Sequence, residues 1–301
     1  MISIKSNYDI LTFPNSKGSF MIDKNIIQDG RSWTLKFFHK ISSVVLEFFS
    51  IISLLFNRAK ALFIKKKEYI VPNSTNLKWS KANKGLCVLI HGLRAAPSDW
   101  AGHIKELKKE TEDIEIIAPY IYKKGNCSLE DAARPVLEIV MDYIKHHPKK
   151  PICLIGASNG GRIVDYIDIN LRNQNVDIKI STIAGAHYGS KLATFVSKIP
   201  LVHRILDKNL KIELAYGSSQ VSNTIKAMRE KITQGNRSYD FYATTEEYMV
   251  TPFHSCFPRI NQDERYYLVH GHGHSSIVKK VRKHQINKCV EWFKTKNIEL
   301  S

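Results

Sequence analysis

Two kinds of hydrophobic pattern follow one another along this chain of 301 residues. From Trp33 to Phe63 most residues are Leu, Ile, Val or Phe. The polar residues of this stretch recur every three or four positions, at Lys36, Lys40, Ser43, Glu47, Ser50 and Asn57. That spacing predicts a long, mostly apolar helix with one narrow polar stripe. Residues 1–30 carry no such period, and we expect an irregular lead-in there.

From residue 68 to the end, short apolar runs alternate with helical stretches. The expected strands are 85–92, 114–121, 151–158, 178–186, 239–244 and 265–271. Most of these runs are β-branched or aromatic and apolar throughout, which is typical of parallel strands buried on both faces. The alternation predicts one α/β domain over residues 68–301, with a mostly parallel sheet flanked by helices.

The helical segment 31–67 has two interpretations that the sequence leaves open. Its uninterrupted apolar part, 41–56, contains Glu47 and is shorter than the roughly 20 residues of a bilayer span, so we do not expect a clean transmembrane helix. One interpretation packs the broad apolar face onto the domain that follows. The other lays the helix on an anionic membrane surface, because basic residues at 58, 60 and 65–67 follow at once.

The net charge favours an anionic partner, but the distribution of basic residues disfavours nucleic acid as that partner. The chain has 45 Lys and Arg against 28 Asp and Glu, a formal net charge of +17. The basic residues are spread along the chain without interleaved aromatics or a nucleic-acid-binding motif, so nucleic acid is not the expected partner.

Cysteine usage and the first residues bear on the compartment. The five cysteines form no CxxC pair, which predicts no disulfide framework and favours a reducing compartment. The N-terminal residues lack the charged start, apolar run and cleavage site of a secretory signal. We expect a cytoplasmic or peripheral membrane protein.

A candidate nucleophile lies where the strand 151–158 meets a predicted helix. The junction reads Gly156-Ala157-Ser158-Asn159-Gly160, which is G-x-S-x-G in its required context. A sharp strand-to-helix turn strains its central residue and needs small residues two positions away on each side. Ser158 would therefore be exposed at the carboxyl end of the sheet.

A nucleophilic serine also needs donors for the oxyanion of a tetrahedral intermediate. His91 and Gly92 end an earlier strand, and the backbone N–H of Leu93 could converge with that of Asn159 on such an oxygen. The alternative is an ordinary strand-to-helix turn with a buried His91.

Three histidines, His270, His272 and His274, alternate after the last predicted strand. The spacing suggests a metal site, but no cysteine or carboxylate cluster accompanies it, and we expect neither a metal nor an organic cofactor. His274 directly precedes a predicted helix and is the best-placed general base for Ser158.

The third member of such a site is a carboxylate that orients the imidazole. The candidates follow the penultimate strand in the sequence EEYMV, and they are Glu247, which we favour, and Glu246. Asp240 lies within the strand itself and is less suited.

The chain resembles the α/β-hydrolases, specifically the lipase and serine-esterase branch. The resemblance is carried by four motifs, which in chain order are HGLRAAPSDW after an early strand, GASNG around Ser158, EEYMV around Glu247 and GHGHSS around His274. The segment AGAHYGSKLA, which contains His187 near the expected site, resembles the lipase segment after the sixth strand. Three features depart from the pattern: Ala157 stands where many lipases have His, the third member is Glu rather than the commoner Asp, and Ala186 replaces the proline before His187.

The resemblance implies an α/β-hydrolase fold and a serine hydrolase that cleaves carboxylic esters through a Ser-His-Glu triad and an acyl-enzyme intermediate. A lipid or other acyl ester is the expected substrate. Acyl transfer and thioester cleavage use the same residues and remain alternatives. A non-catalytic protein that keeps the fold as a membrane- or protein-binding module is a further alternative.

Overall fold

The computed structural model describes residues 9–11, 31–64, 66–71, 77–80, 83–199, 206–230 and 234–299. The strands are β1 (Asp9–Leu11), β2 (Tyr69–Ile70), β3 (Gly85–Ile90), β4 (Ile114–Pro119), β5 (Ile152–Ala157), β6 (Ile178–Ile183), β7 (Arg237–Thr244) and β8 (Glu264–Val269). The helices are α1 (Trp33–Phe63), α2 (Ala101–Glu110), α3 (Leu129–His146), α4 (Asn159–Asn170), α5 (Lys191–Val196), α6 (Lys208–Leu214), α7 (Ser219–Arg229) and α8 (Ser276–Glu299). Of the expected lead-in 1–30, residues 9–11 form β1, and residues 1–8 and 12–30 lie outside the described part.

The strands form one sheet in the order β1-β8-β7-β6-β5-β3-β4-β2. Strands β2 to β8 pair in parallel, and β1 joins the edge at β8 antiparallel. Every residue of β3, β6 and β7 is buried, which is typical of parallel strands covered on both faces. The predicted α/β class with a mostly parallel sheet is confirmed, and all six predicted runs form strands.

The strand order reverses at the centre of the sheet. Strand β5 lies between β3 and β6; the chain places β4 and β2 beyond β3, and β6 to β8 beyond β5. In open parallel sheets, ligands bind outside the carboxyl ends of the strands at such a reversal. The loop that begins at His91 and the turn at Ser158 both start there.

The helices cover the sheet and extend its core. Helix α8 packs against α2 and contacts β6 and β7, while α4 packs against α3 and α7 and contacts β5 and β6. The N-terminus of α3 is capped by Ser128, whose hydroxyl accepts from the Asp131 amide at 3.1 Å. These layers keep both faces of the central strands out of water.

Helix α1 has the length and the single polar stripe that the sequence predicts, and its N-terminus is capped by Ser32. Its orientation differs from the interpretation that packs the apolar face onto the domain. The polar stripe faces the domain, with Ser43 and Glu47 as the buried residues, and the helix packs against α8 and the 3-10 turn Pro97–Trp100.

The broad apolar face of α1 points away from the domain. Its exposed side chains include Trp33, Phe37, Phe38, Val44, Phe48, Phe49, Leu55, Phe56, Leu62 and Phe63. Packing of this face onto the α/β domain is therefore wrong for the described residues, because the domain offers α1 polar partners instead. By length and composition α1 could also cross a membrane, and 11% of its most apolar window is buried.

Candidate active site

Ser158 lies in a strained turn between β5 and α4. Its backbone has φ 56° and ψ −124°, a conformation that L-residues rarely adopt. The turn is held by backbone hydrogen bonds, from the Ser158 amide to the Ile183 carbonyl and from the Gly161 amide to the Ser158 carbonyl. The side chain therefore projects at the carboxyl end of the sheet, beside the N-terminus of α4.

The two glycines of the motif make this turn sterically possible. A Cβ at Gly156 would lie 2.5 Å from the Gly160 carbonyl oxygen, and one at Gly160 would lie 2.3 Å from the Ile90 carbonyl oxygen. Both distances are well inside van der Waals contact. The elbow thus packs backbone to backbone against β3, which leaves no space for larger side chains.

His274 and Glu247 form a hydrogen-bonded pair. The His274 Nδ1–H lies 2.8 Å from Glu247 Oε1 and 2.9 Å from Oε2. Glu247 Oε1 also accepts from the amides of Met249 at 2.8 Å and Val250 at 3.0 Å. The side chain of His274 is 14% exposed and that of Glu247 is fully buried. The two backbone amides thus hold the carboxylate in place, and the carboxylate orients the imidazole. Because Nδ1 faces Glu247, Nε2 of His274 is left for a reacting group.

Burial and charge act in opposite directions on His274. Burial would lower the pKa of His274, but the adjacent Glu247 carboxylate, helped by Glu47 of α1, raises it above its ordinary value. The imidazolium that forms when a base accepts a proton is therefore stabilised.

Glu246, the alternative acid, points elsewhere. Its carboxylate accepts from the Gly271 amide at 2.6 Å and from the Thr245 hydroxyl, and it pairs with Arg31 at 2.7 Å. It makes no contact with His274 in the described part of the chain, so Glu247 is the carboxylate that the structure brings to the imidazole.

Ser158 and His274 line one cavity of about 170 Å³, together with the loop after β3. Leu93 lies in its wall. Asn159 is the first residue of α4, where backbone N–H groups have no acceptor within the helix. Leu93, predicted as one oxyanion donor, thus shares the cavity with Ser158, and Asn159, predicted as the other, directly follows Ser158 in the chain. Among the described residues Ser158 Oγ makes no hydrogen bond.

His91 holds the loop that carries Leu93. It is 2% exposed, and its Nδ1 lies 2.9 Å from the Gly92 carbonyl while Nε2 accepts from the Ile121 amide at 3.3 Å. Burial lowers the pKa of His91, which fits a neutral ring with one donor and one acceptor. A Cβ at Gly92 would lie 3.0 Å from Ser158 Cβ, so the loop after β3 approaches Ser158 closely at this glycine.

His187, predicted near the site, lies beneath the elbow rather than in the cavity wall. It is buried, with Nδ1 2.6 Å from Asp165 Oδ2 and Nε2 2.9 Å from Thr182 Oγ1. A Cβ on Gly185 would lie 2.5 Å from its ring. This network supports the turn from below and has no access to the cavity.

The three alternating histidines do not converge on a common point. His270 Nδ1 contacts the Thr245 hydroxyl and its ring stacks on His39, whereas His274 contacts Glu247. Burial lowers the pKa of His272 to about 4. Within the described residues, one group of three possible metal ligands lies close together, the buried thiols of Cys87, Cys153 and Cys289.

Sequence reasoning missed the part of the site that α1 supplies. Leu54 and Arg58 line the cavity, and Arg58 makes a bidentate ion pair with Asp99 at 2.9 and 2.6 Å. The polar stripe of α1 could have indicated this contact. Arg58 extends the stripe, and a charged residue on the face that packs against the domain needs a polar partner there.

Comparisons with known proteins agree on the architecture. No protein-family model and no curated protein matches the sequence. Among solved structures, the metagenome-derived lipolytic enzymes LipS and LipT superimpose with TM-score 0.50 and 10% identity, over 72% of this chain and 96% of the other. The fold is that of the α/β-hydrolases.

Other structural neighbours are named for related activities. The Paleococcus ferrophilus monoacylglycerol lipase matches with TM-score 0.49 and 18% identity, over 71% of this chain and 96% of its own. An esterase from Exiguobacterium antarcticum matches with TM-score 0.48 and 15% identity, over 71% and 93%.

Proposed function

We propose that this protein is a serine hydrolase that cleaves carboxylic esters, with an acyl lipid as its substrate. The observation that carries the proposal is the combination of a buried Glu247–His274 pair and a strained Ser158 around one cavity. A lone serine or histidine in a cleft would not need a fixed carboxylate behind it.

The chemistry follows from these positions. Ser158 Oγ attacks the acyl carbon while His274 Nε2 takes its proton, and the negative oxygen is stabilised by the amides of Leu93 and Asn159. His274 then gives the proton to the leaving alcohol, and the acyl group stays on Ser158. Water, activated by His274, attacks this ester, releases the carboxylic acid and restores the serine hydroxyl. An alcohol in place of water makes the same cycle an acyl transfer, and a thiol leaving group makes it a thioesterase.

The orientation of α1 favours a lipid substrate. A helix whose polar face contacts its own domain and whose apolar face contacts solvent is inverted relative to a soluble surface helix. Phe48, Phe49 and Phe56 on the outer face are 62%, 63% and 69% exposed. Contiguous exposed apolar surface of this kind marks an interaction site.

The occupant that we propose for this face is an anionic membrane surface. Exposed basic side chains lie on and just after the same helix, at Lys40, Lys60 and Lys67, and the whole chain carries a formal net charge of +17. A helix with exposed aromatic side chains and exposed lysines binds in the headgroup region of anionic bilayers. Because Leu54 of the same helix lines the cavity, a bound membrane would lie beside the entrance for acyl chains.

The catalytic proposal is tested by covalent labelling and turnover. The purified full chain is treated with a fluorophosphonate, the labelled peptide is identified by mass spectrometry, and hydrolysis of p-nitrophenyl esters from acetyl to palmitoyl is measured. We expect label on Ser158, and we expect Ser158→Ala to lose both label and turnover. Ser275→Ala, which removes another hydroxyl from the cavity wall, should still be labelled. Absence of label on Ser158 would refute an activated serine and leave a non-catalytic binding module.

The membrane proposal is tested by flotation with vesicles of phosphatidylcholine alone and with added phosphatidylserine. We expect flotation with the anionic vesicles, weakened by salt, and loss of it when Phe48, Phe49 and Phe56 are all changed to Ser. The matched control is Phe195→Ser, since Phe195 is 66% exposed on α5. Equal flotation of the triple variant would contradict the proposal. A dimer without vesicles that the triple variant abolishes would assign the face to a second copy of the chain.

A further inference from the structure

Glu47, the one acidic residue of α1, is 6% exposed and lies against the loop of His274. Its Oε1 accepts from the Tyr248 hydroxyl at 2.5 Å and from the Ser275 amide at 2.9 Å. Its Oε2 accepts from the amides of Ser275 and Ser276, each at 3.0 Å. A carboxylate from the N-terminal helix is therefore bound by residues more than 200 positions away.

Two of these donors belong to the start of α8, which begins at Ser276. The first N–H groups of a helix have no acceptor inside it, and a negative charge at that end is favourable. Glu47 thus fills the place of a capping side chain from outside the helix. The approach is close, since a Cβ on Gly273 would lie 2.8 Å from Glu47 Oε2.

The third donor connects Glu47 to the acid loop. Tyr248 directly follows Glu247, and its ring lies edge-on to His274 with centroids 6.3 Å apart. One carboxylate therefore contacts both segments that carry the histidine and its orienting acid. Both segments would lose their hydrogen bonds to Glu47 if α1 moved away from the domain.

Electrostatics agree with an ionised Glu47. Burial would raise the pKa of Glu47, but the hydrogen bonds from Tyr248, Ser275 and Ser276 outweigh it and lower the pKa below its usual value. Glu47 in turn is one of two carboxylates that raise the pKa of His274 against the effect of burial. The other is Glu247, as described above.

We propose that Glu47 is a positioning residue for the reaction, whose carboxylate holds the His274 and Glu247 segments together and makes docked α1 a part of the active site. The inference rests on the proposed ester hydrolysis. It also means that the helix proposed to bind lipid is mechanically joined to the catalytic histidine. The charged groups that act on His274 are Glu247 and Glu47, and the Arg58–Asp99 pair lines the same cavity as His274.

The test compares full-length Glu47→Gln and Glu47→Leu with the unmodified chain on a water-soluble short p-nitrophenyl ester, which separates catalysis from membrane binding. We expect kcat to fall on the order of ten- to hundredfold in Glu47→Gln, as for other small misplacements of catalytic groups, with KM little changed. Glu47→Leu, which retains no acceptor, should fall further. The acid limb of the kcat/KM profile should move to lower pH, because His274 loses a neighbouring negative charge.

The matched control is Glu68→Gln, which neutralises another carboxylate, 8% exposed and paired with Lys108, away from the cavity. It should leave kcat and the acid limb unchanged. If Glu47→Gln does not fold, Tyr248→Phe decides, since it removes a single donor to Glu47 and should lower kcat by less, with KM little changed. The acid limb should stay in place in Tyr248→Phe, because the Glu47 charge remains. Unaltered kcat and pH profile in the folded Glu47 variants, or unaltered kcat in Tyr248→Phe where those do not fold, would overturn the inference. Lack of turnover and of fluorophosphonate label in the unmodified chain would instead overturn the proposed function.

Discussion

Replacing Ser158 by glycine should stabilise the protein relative to replacing it by alanine, although both variants lack the proposed nucleophile. Ser158 has φ 56° and ψ −124°. A residue with a Cβ is strained in that region, while glycine adopts it freely. The comparison measures the strain of the elbow without any knowledge of the substrate.

The magnitude follows from two opposing contributions. Backbone strain of this kind costs about 1–3 kcal/mol. Glycine has a more disordered unfolded chain than alanine, which costs it about 0.5–1 kcal/mol. The glycine variant should therefore be more stable by about 1 kcal/mol, which for a protein of this size raises Tm by about 2 °C.

The assay is thermal and urea unfolding of Ser158→Gly and Ser158→Ala. The control pair is Ser222→Gly and Ser222→Ala, because Ser222 is an exposed residue of the regular helix α7. There the alanine variant should be the more stable one by about 1 kcal/mol. An alanine variant at position 158 as stable as the glycine variant, or more so, would refute the strained turn.

Three further predictions concern the site. Glu247→Gln should lower kcat by about 10⁴-fold. It should also shift the acid limb of the kcat/KM profile to lower pH, since Glu247 raises the pKa of His274. An unshifted acid limb in the pH–rate profile would contradict the pairing of Glu247 with His274. Gly160→Ala should destabilise by about 1–3 kcal/mol in urea unfolding and lower turnover, because its Cβ would meet the Ile90 carbonyl, and a neutral outcome would show a looser elbow. Arg58→Leu should lower the free energy of unfolding by about 1 kcal/mol and make α1 more sensitive to proteolysis, because it removes the ion pair with Asp99. The value is reduced because the arginine side chain is 35% exposed. An unchanged rate of proteolysis within α1 would contradict this prediction.

The strands and the elbow could be predicted because their signals are local. The run ending at Ser158 is apolar, short and followed by glycines, and each feature depends on neighbours in sequence. The choice between Glu246 and Glu247 depends on contacts that are distant in sequence, because adjacent residues point to different sides of the chain. The structure brings Glu247 to His274 through the amides of Met249 and Val250, which hold its carboxylate.

The orientation of α1 could not be predicted for a different reason. Periodicity identifies a polar and an apolar face but not which of them meets the domain. The partners that decide it are Tyr248, the first amides of α8 and Asp99, all distant in sequence. Residues that are unusual within their own element, such as Glu47 in an apolar helix, were the best available sign that such partners exist.

The bonds between Glu47 and α8 also set an order of events during synthesis. Glu47 and Ser275 are 228 positions apart, so α1 leaves the ribosome long before the residues that its carboxylate contacts exist. Throughout that interval the carboxylate of Glu47 lacks the donors that bind it in the folded protein, and domains generally fold as units. A ribosome that stalls before residue 275 would release a chain with an exposed helix and no capped α8. Closure of the histidine loop by the N-terminal helix therefore ties the competence of the site to the completion of the polypeptide.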